Sequence, residues 1–499
     1  MNDLYDALKQ LNQSDVYPFH MPGHKRMVVT EDTELIKCLK GYDITEITGF
    51  DDLHAAHGLI RELEKKAAKL FDADDAFLLI NGSSAGILAA LSAVTFDNDK
   101  LLFARNSHKS AYNALLLNDA KPDYIWPEEF ANPTICGGIN PDEVARQIKD
   151  FHSCVYLTSP TYEGIISNIG EIAKHAHARS IPVIVDAAHG AHFPFASSAF
   201  ADCKVSNPLS QGADIAIVSL HKTLNAPTQT GLLLLKGNLI DRDRLKYFLT
   251  VYQSSSPSYI LMAGIENCIN QLLDSDEVKE QFINYRENLN SFYKNCESLN
   301  MLKVSGSMDF MDKHSTYGYD IGKLVISVRE KCRELIALNG YEILQILRDD
   351  YHLELEYASM DFALAMTSYM DSAESFERLY NALMDIENRW KVKNDSTLSK
   401  RHGKIIEHCL GGASYYPKTE SVLSIKKAKA MSVTALELNT AIGHVCTEFI
   451  YAYPPGVPIV VPGEIITVRI VESISERINS GVTIYGLSDT GTINVYKEG

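Results

Sequence analysis

Seven short runs of apolar residues, most of them separated by stretches long enough for an amphipathic helix, constrain the fold of this 499-residue chain most strongly. They occur at residues 76–80, 101–104, 123–126, 155–158, 182–185, 215–218 and 232–235. The runs are continuous rather than alternating, which is typical of strands buried on both faces. Such strands, interleaved with helices, indicate an α/β fold with a mostly parallel, seven-stranded sheet.

Polar side chains follow five of these runs at their carboxyl ends. The five loops comprise residues 81–86, 106–109, 159–164, 186–190 and 219–222. Parallel strands end at the same edge of a sheet, and α/β sheets bind ligands beyond the carboxyl ends of their strands. The sequence therefore predicts one site built from five loops.

Lys222 follows one of the predicted buried strands and lies between His221 and Thr223. Lysines are seldom buried without a partner, so a lysine at a strand end is better explained as a reactive amine than as a solvated charge. The first hypothesis is a lysine that forms a Schiff base.

The other loops supply groups that match such a lysine. Ser83 and Ser84 lie between a strand and a helix, where free N–H groups and hydroxyls suit an anion, although a plain helix N-cap explains them equally well. Asp186 ends a strand and needs a cationic or hydrogen-bonding partner, unless it is a structural residue that caps a turn. His108 could stack on a flat ring or be an ordinary loop histidine. Together with Lys222, these groups form the set that holds pyridoxal phosphate.

Charge and composition exclude several classes of function. The chain has 47 Lys and Arg against 64 Asp and Glu, and its net charge of -17 opposes nucleic acid or an anionic membrane as a partner. The N-terminus has no leader pattern and no run of about 18 apolar residues occurs, so a cytoplasmic protein is expected. No metal site is expected, because Pro22 and Gly23 break the helix that His20 and His24 would need to share a face.

Changes in composition along the chain predict four units. Residues 1–50 are expected to form an N-terminal arm, 51–270 the large sheet domain, 271–395 a smaller α/β domain and 396–499 a C-terminal domain. The last boundary falls in a polar break near residues 393–403.

Nine segments spread over nearly the whole chain resemble the Orn/Lys/Arg decarboxylase family in its short form, without the N-terminal wing domain. They read FHMPGHK, DITEITGFDDLH, NGSSAGI, RNSHKSAYNAL, TSPTYEGI, DAAHGAHF, SLHKTLNAPTQTG, SSSPSYILMA and YPPGVPIVVPGE, in the family's order. The resemblance implies a fold-type I, aspartate aminotransferase-like large domain that binds pyridoxal phosphate. It also implies decarboxylation of a basic amino acid (arginine, lysine or ornithine) to agmatine, cadaverine or putrescine and CO2.

The resemblance implies roles for individual residues. Lys222 would bind the cofactor covalently, Asp186 would pair with its ring nitrogen, and His108 would stack on the ring, with His221 as a further catalytic candidate. The residues implied to contact the cofactor are Ser83, Ser84, Ala85, His108, Asp186, Ala188, His189, Ser219, His221, Lys222 and, from a neighbouring subunit, Ser256.

The resemblance also implies a substrate end and a partner chain. Glu464 is expected near the far cationic end of the substrate, with Asp43 and Glu46 as further candidates. A homodimer or a higher homo-oligomer with shared active sites is expected. The chain departs from many relatives at Ala187, where they have Glu, and at Gly231, where they more often have Ser, Thr or Ala.

Two other functions also fit the sequence. Another fold-type I enzyme, an aminotransferase or an amino-acid lyase, would share every cofactor residue named above. A non-catalytic homologue with a binding or regulatory role is the other alternative, and the presence of Lys222, Asp186 and His108 argues against it.

Overall fold

A computed structural model describes residues 3–14, 22, 25, 30, 33–96, 99–273, 275–311, 314–333, 336, 338–394 and 416–497 of the chain. His20 and His24, the histidine pair for which no metal site is expected, lie outside the described residues. So do most of the FHMPGHK segment and residues 395–403 of the polar break.

The described α-helices are numbered here in chain order. They are α1 Leu4–Gln13, α2 Glu34–Lys40, α3 Leu59–Leu70, α4 Gly82–Val94, α5 Lys109–Asn118, α6 Pro141–Gln147, α7 Ile169–His177, α8 Phe193–Ala196, α9 Leu220–Thr223, α10 Arg242–Tyr252, α11 Tyr259–Leu273, α12 Ser275–Cys296, α13 Glu330–Arg333, α14 Gly340–Tyr351, α15 Ala373–Asn394, α16 Ile425–Ala430 and α17 Val468–Asn479. Short 3-10 turns occur at Leu53–Ala55, Ala201–Cys203, Pro208–Gln211 and Ser307–Asp309.

The described strands are numbered in the same way. They are β1 Asp75–Leu79, β2 Lys100–Ala104, β3 Lys121–Ile125, β4 Glu129–Ala131, β5 Thr134–Cys136, β6 His152–Thr158, β7 Ile165–Ser167, β8 Val183–Asp186, β9 Ile215–Ser219, β10 Gly231–Leu235, β11 Leu302–Ser305, β12 Thr316–Tyr319, β13 Lys323–Val328, β14 Tyr357–Ala358, β15 Phe362–Met366, β16 Val433–Leu436, β17 Ile450–Ala452, β18 Pro458–Val460, β19 Ile484–Tyr485 and β20 Ile493–Tyr496.

A seven-stranded sheet organises the described part of the chain, in the order β1-β10-β9-β8-β6-β2-β3. Each of the seven apolar runs forms one of its strands, which confirms the predicted sheet. The strands from β9 to β3 pair in parallel, whereas β10 runs antiparallel to both of its neighbours. The single reversed strand follows from the connection between β9 and β10, which holds only the short helix α9 and returns the chain directly.

Both faces of this sheet are covered, as the continuous apolar runs predict. Along β8, Val183 and Val185 pack into the core on one face, where α3, α7 and α11 contribute, and Ile184 packs into the core on the other, where α4, α5 and α10 contribute. Successive side chains of a strand point to opposite faces, so a strand that is apolar throughout needs cover on both sides.

The rest of the described chain forms smaller sheets. Strands β11-β13-β15-β14 make a four-stranded antiparallel sheet, and the C-terminal part contains the β16-β20 pair and the three strands β18-β17-β19. The division into four units stays a prediction. Within the described residues, no helix is both long and apolar enough to cross a membrane. The cytoplasmic location also stays a prediction.

Gly231 has a steric explanation at the start of β10. A Cβ added there would lie 2.6 Å from the carbonyl oxygen of Val218 on the neighbouring strand and 3.5 Å from Ser83 Oγ. The glycine therefore lets β10 approach β9 closely beside the loop that carries Ser83. No observation of this kind explains Ala187, which is fully buried.

Candidate active site

A cavity of about 470 Å³ opens at the carboxyl ends of the central strands. All five predicted loops contribute to its wall, so the structure brings them together on one rim as expected. The described residues that line the cavity are Gly82, Ser83, Ser84, Ile87, Asn106, His108, Ser110, Cys136, Thr158, Thr161, Tyr162, Glu163, Asp186, Ala188, His189, Ser219, His221, Lys222, Glu356, Met366, Tyr416, Tyr453, Pro455 and Val457.

Lys222 presents its amine to this cavity from the short helix α9. Its Nζ lies 3.0 Å from Nε2 of His189 and 5.9 Å from the centre of the Tyr162 ring. Burial lowers the pKa of Lys222, against the charges of Asp186 and Glu356, which act to raise it. A lysine with a lowered pKa more readily supplies the free amine that a carbonyl compound requires.

The start of α4 forms an anion-binding surface on one side of the cavity. Gly82 adopts a φ of +72°, which turns the chain from β1 into the helix. Ser83 Oγ and Ser219 Oγ lie 2.6 Å apart, so two hydroxyls flank the helix N-terminus. Nδ1 of His221 lies 2.8 Å from the carbonyl oxygen of Thr230 and donates to it, which leaves Nε2 for another contact. Hydroxyls at a helix N-terminus suit a phosphate.

Asp186 ends β8 and is 3 % exposed. Its Oδ1 accepts a hydrogen bond of 3.1 Å from the backbone N–H of Ala188. Burial raises the pKa of Asp186, while the charge of Lys222 acts to lower it. Two cavity-lining atoms nearby on the rim, Asn106 Oδ1 and Thr158 Oγ1, are buried without a hydrogen-bond partner within the described structure. A buried carboxylate and unpaired acceptors fit a polar, cationic ring.

His108 forms the N-cap of α5, which fixes its ring. Its Nδ1 accepts from the backbone N–H of Ser110 at 3.2 Å and lies 2.8 Å from Ser110 Oγ, so the proton of the neutral ring is on Nε2. Burial, with the charges of Lys222 and Lys109, lowers the pKa of His108 to about 4. A neutral imidazole therefore faces the cavity. The loop at Gly456 closes over it, since a Cβ there would lie 3.1 Å from His108 Nε2.

The structure gathers most of the predicted cofactor residues and leaves some outside the wall. Ala85 is buried in the first turn of α4 and does not line the cavity. Ser256 is exposed in a segment whose neighbour Ser254 donates to Asn81 at 3.2 Å, just before α4. Its contact was expected in another subunit's site, which a single chain does not test.

Asp43 and Glu46, the two further candidates for the substrate end, do not line the cavity of this chain either. Their predicted role toward the substrate stays untested.

Glu464 does not line the cavity of this chain, and its predicted role toward the substrate stays untested. Glu464 is 1 % exposed and binds Arg105 through both oxygens, with Nε to Oε1 at 3.1 Å and Nη2 to Oε2 at 3.0 Å. Its Oε2 also accepts from the backbone N–H of Val461 at 2.8 Å. These bonds join the C-terminal segment to the residue that follows β2.

Several lining residues were not singled out by sequence reasoning. Tyr162 and Glu163 lie in a predicted rim loop, so their position could have marked them. Glu356 follows α14, and its carboxylate is hydrogen-bonded by the hydroxyl of Tyr162. Lys323, at the start of β13, lies behind His189 with only 1 % exposure. No spacing in the sequence connects Glu356 or Lys323 with the rim, because both come from the small sheet.

Comparison with known proteins identifies the family. The model of the Orn/Lys/Arg decarboxylase major domain matches residues 2–311, and that of the Orn/Lys/Arg decarboxylase C-terminal domain matches residues 415–475. The chain belongs to the Orn/Lys/Arg decarboxylase family. It is 28% identical over 509 residues to an arginine decarboxylase of Bacillus subtilis, covering 99% of this chain and 98% of that protein. It is 23% identical to the inducible lysine decarboxylase of Escherichia coli, covering 82% and 66%.

Solved structures confirm the fold of this family member. The lysine decarboxylase of Francisella novicida has a TM-score of 0.82 at 17% identity and covers 99% of this chain and 81% of its own. A serine palmitoyltransferase solved with PLP has a TM-score of 0.52 at 11% identity, covering 79% and 85%. The fold-type I prediction is thus confirmed, and family membership makes the protein an amino-acid decarboxylase.

Proposed function

We propose that this protein decarboxylates a basic amino acid (arginine, lysine or ornithine) with pyridoxal phosphate as cofactor. The observation that carries the proposal is the cavity in which the Lys222 amine, the buried Asp186 carboxylate and the N-terminus of α4 face one volume. Agmatine, cadaverine or putrescine would be the product with CO2. The arginine and lysine decarboxylases among the similar proteins support this choice of substrate class.

The cofactor would be held by residues whose positions match its parts. Ser83, Ser219 and the α4 N-terminus would bind the phosphate, Asp186 would bind the protonated ring nitrogen, and Lys222 would bind the aldehyde carbon. Pyridoxal phosphate, when bound, accepts the electron pair that the substrate's Cα keeps as CO2 leaves. A buried Asp186 without a cationic partner costs free energy, which a pyridinium would offset.

The chain's own side chains would control protons and water at this site. Asp186 would favour a positive charge at the ring nitrogen, and the neutral ring of His108 would not compete for that charge. Tyr453, Pro455 and Val457 of the C-terminal segment line the cavity, where they would limit the access of water to a bound substrate. The proton that Cα receives would come from a group near Lys222, with Lys222 and His221 as the candidates.

Within the cavity of this chain, Glu356 is the best candidate to receive the far cationic end of the substrate. It lines the cavity, and the hydroxyl of Tyr162 donates to it, with the Tyr162 ring between Glu356 and Lys222. A substrate bound beside Lys222 would therefore extend past Tyr162 toward a carboxylate. Ammonium and guanidinium groups both pair with carboxylates, so this arrangement fits the whole class of basic amino acids.

The charge of the cavity favours loss of the substrate's carboxylate. No arginine lines the cavity in the described part of the chain, and Glu163, Asp186 and Glu356 are acidic residues of its wall. An arginine would stabilise the substrate's carboxylate before the reaction, and that stabilisation would be lost as CO2 departs. Without such a partner, the barrier to decarboxylation is not raised in this way.

One assay tests the function. Purified protein with pyridoxal phosphate is incubated with arginine, lysine and ornithine, and CO2 and the corresponding amine are measured. Equimolar release of CO2 and amine from at least one substrate is expected. Transfer of the amino group to a keto acid, with no CO2 from arginine, lysine or ornithine, would show an aminotransferase instead. No reaction of these amino acids with or without a keto acid would indicate a non-catalytic homologue.

A pair of variants tests the role of Glu356. Glu356→Gln removes the charge and should raise KM for the decarboxylated substrate about tenfold or more, the range of a charge-assisted hydrogen bond, with a smaller change in kcat. Glu354→Gln is the matched control, because Glu354 lies two residues earlier and pairs with Arg348 on the surface. Equal KM values for the two variants would refute the assignment.

We also propose a homodimer with shared active sites. Leu35 on α2 is 66 % exposed, and Tyr247 and Val251 on α10 are 63 % and 52 % exposed, which leaves apolar surface for a partner. Ser254 of the segment after α10 contacts His54 near the cavity rim. Sedimentation should give twice the mass of the chain, and a monomer that retains full activity would contradict the proposal.

A further inference from the structure

His189 lies between two lysine amines. Its Nε2 is 3.0 Å from Nζ of Lys222, and its Nδ1 is 3.4 Å from Nζ of Lys323. His189 is 5 % exposed and Lys323 is 1 % exposed, so water replaces neither contact readily. The stem of Lys323 passes directly over Gly164, where an added Cβ would lie 2.8 Å from Lys323 Cγ. The glycine therefore leaves the space that this buried lysine occupies.

Counting protons limits the charge states of these three groups. A neutral imidazole has one N–H and one lone pair, whereas an ammonium group can only donate. His189 can therefore accept from one charged lysine and must donate to the other, which has to be a neutral amine. Protonation of the ring is disfavoured, because burial and the charges of Lys222 and Lys323 lower the pKa of His189 well below its usual value.

Lys323 is placed so that it can exist in both charge states. Burial lowers the pKa of Lys323 to about 8, as does the charge of Lys222, while the charges of Asp320, Glu356 and Glu163 act to raise it. Although burial alone would raise the pKa of Asp320, His192 at 3.4 Å and Lys323 hold it below its usual value. The ammonium form of Lys323 therefore has an ionised carboxylate nearby.

We propose that Lys323 is a positioning residue that takes up, through His189, the proton that Lys222 must lose before its amine can react. The N–H bond of Lys222 breaks as an N–H bond forms at Nε2 of His189. The Nδ1–H bond of His189 breaks as the proton moves to Nζ of Lys323. One proton is transferred from lysine to lysine, the ring changes tautomer, and His189 then donates through Nε2 to the neutral amine of Lys222.

The purpose of this relay rests on the proposed covalent role of Lys222, but its test does not need the cofactor. The intact protein without added pyridoxal phosphate is labelled with traces of acetic anhydride at a series of pH values, and acetylation of Lys222 is measured by mass spectrometry. The variants are Lys323→Met, Lys323→Gln and Lys323→Arg. Lys303→Met is the matched control, since Lys303 lies on β11 of the same small sheet and pairs with Asp309.

The relay predicts shifts of opposite sign for uncharged and charged replacements. Methionine or glutamine at position 323 takes no proton, so the acetylation profile of Lys222 should move about one pH unit upward, a reactivity loss of about tenfold at neutral pH. Arginine is permanently charged and donates to Nδ1, so the profile should move to lower pH. Lys303→Met should leave the profile unchanged. A purely structural role would lower labelling in every Lys323 variant without moving the profile.

The outcomes separate this inference from the proposed function. Profiles for Lys323→Met and Lys323→Gln that superimpose on the wild type, or that move to lower pH, would overturn the relay even if Lys222 binds pyridoxal phosphate. If the variants shift as expected while the wild-type protein attaches no pyridoxal phosphate, the relay stands and the proposed cofactor is wrong.

Discussion

Replacement of Glu464 by Gln should destabilise the junction between the C-terminal segment and the central sheet. Arg105 is fully buried, and besides Glu464 it donates to the carbonyl oxygens of Pro458 at 2.8 Å and Ile459 at 3.2 Å. Burial acts to lower the pKa of Arg105, and the charge of Glu464 acts to raise it. A guanidinium is so weakly acidic that Arg105 stays charged even when Glu464 is lost. Removing one member of such a buried pair costs about 3 to 5 kcal/mol.

Trp126 offers a local probe of this junction. Its ring centre lies 5.7 Å from the Arg105 guanidinium carbon, and the chain has 2 tryptophans. In a Trp390→Phe background, Trp126 fluorescence during guanidinium denaturation therefore reports where the junction opens. The Glu464→Gln midpoint should fall clearly below that of the background protein. The catalytic rate should fall with it, because Tyr453 and Val457 line the cavity from the same segment.

Two further proteins make the test specific. Glu472→Gln changes an exposed carboxylate on α17 and should shift stability by no more than about 0.5 kcal/mol. Arg105→Met combined with Glu464→Leu removes both charges and should recover much of the loss. A Glu464→Gln protein as stable as the Glu472→Gln control would refute the claim that the buried Glu464–Arg105 ion pair holds the C-terminal segment on the central sheet.

Three other changes have expected outcomes. Asp186→Asn should weaken retention of pyridoxal phosphate about tenfold or more, measured by absorbance after gel filtration, and unchanged retention would contradict its pairing with the ring nitrogen. Burial raises the pKa of Glu64 from 4.5 to about 7, although the hydrogen bond and charge of Arg61 act to lower it. The folded state therefore binds the proton more tightly than the unfolded state, and the free energy of unfolding falls as pH rises from 4.5 to about 7. Glu64→Gln should remove this loss, up to about 3 kcal/mol by pH 8, and a parallel pH dependence in wild type and variant would disprove it. His108→Ala should move the absorption maximum of the bound cofactor, because the ring loses a stacked neighbour, and an unaltered spectrum would argue against the stacking.

The sequence predicted those parts of the fold that local patterns determine. Most strands of the central sheet contain a continuous apolar run, which is typical of a strand buried on both faces, so their positions could be predicted from the sequence. The polar loops that follow five of the strands predicted the site, because parallel strands end at the same edge of a sheet. The direction of β10 was not predictable from its composition, because Gly231–Leu235 is equally apolar in either orientation.

The site was predictable where chemistry and position coincide, and less so where contacts are distant in sequence. Asp186 ends a strand, and Lys222 and His108 each lie a few residues after one, so their common location follows from the sheet. Glu464 was assigned from its motif alone, and nothing in the sequence shows that Arg105, 359 residues away, occupies both of its oxygens. Lys323 belongs to the small sheet, and its approach to His189 depends on how the two sheets pack.

The most direct measurement is the location of the bound cofactor. The protein is incubated with pyridoxal phosphate, reduced with borohydride and digested, and the modified lysine is identified by mass spectrometry. We expect the reduced cofactor on Lys222, and we expect Lys222→Ala to lose both this product and the absorption of the bound form. Modification at Lys323 with none at Lys222, or a Lys222→Ala protein that keeps the wild-type absorption, would contradict the assignment on which the proposed decarboxylation rests.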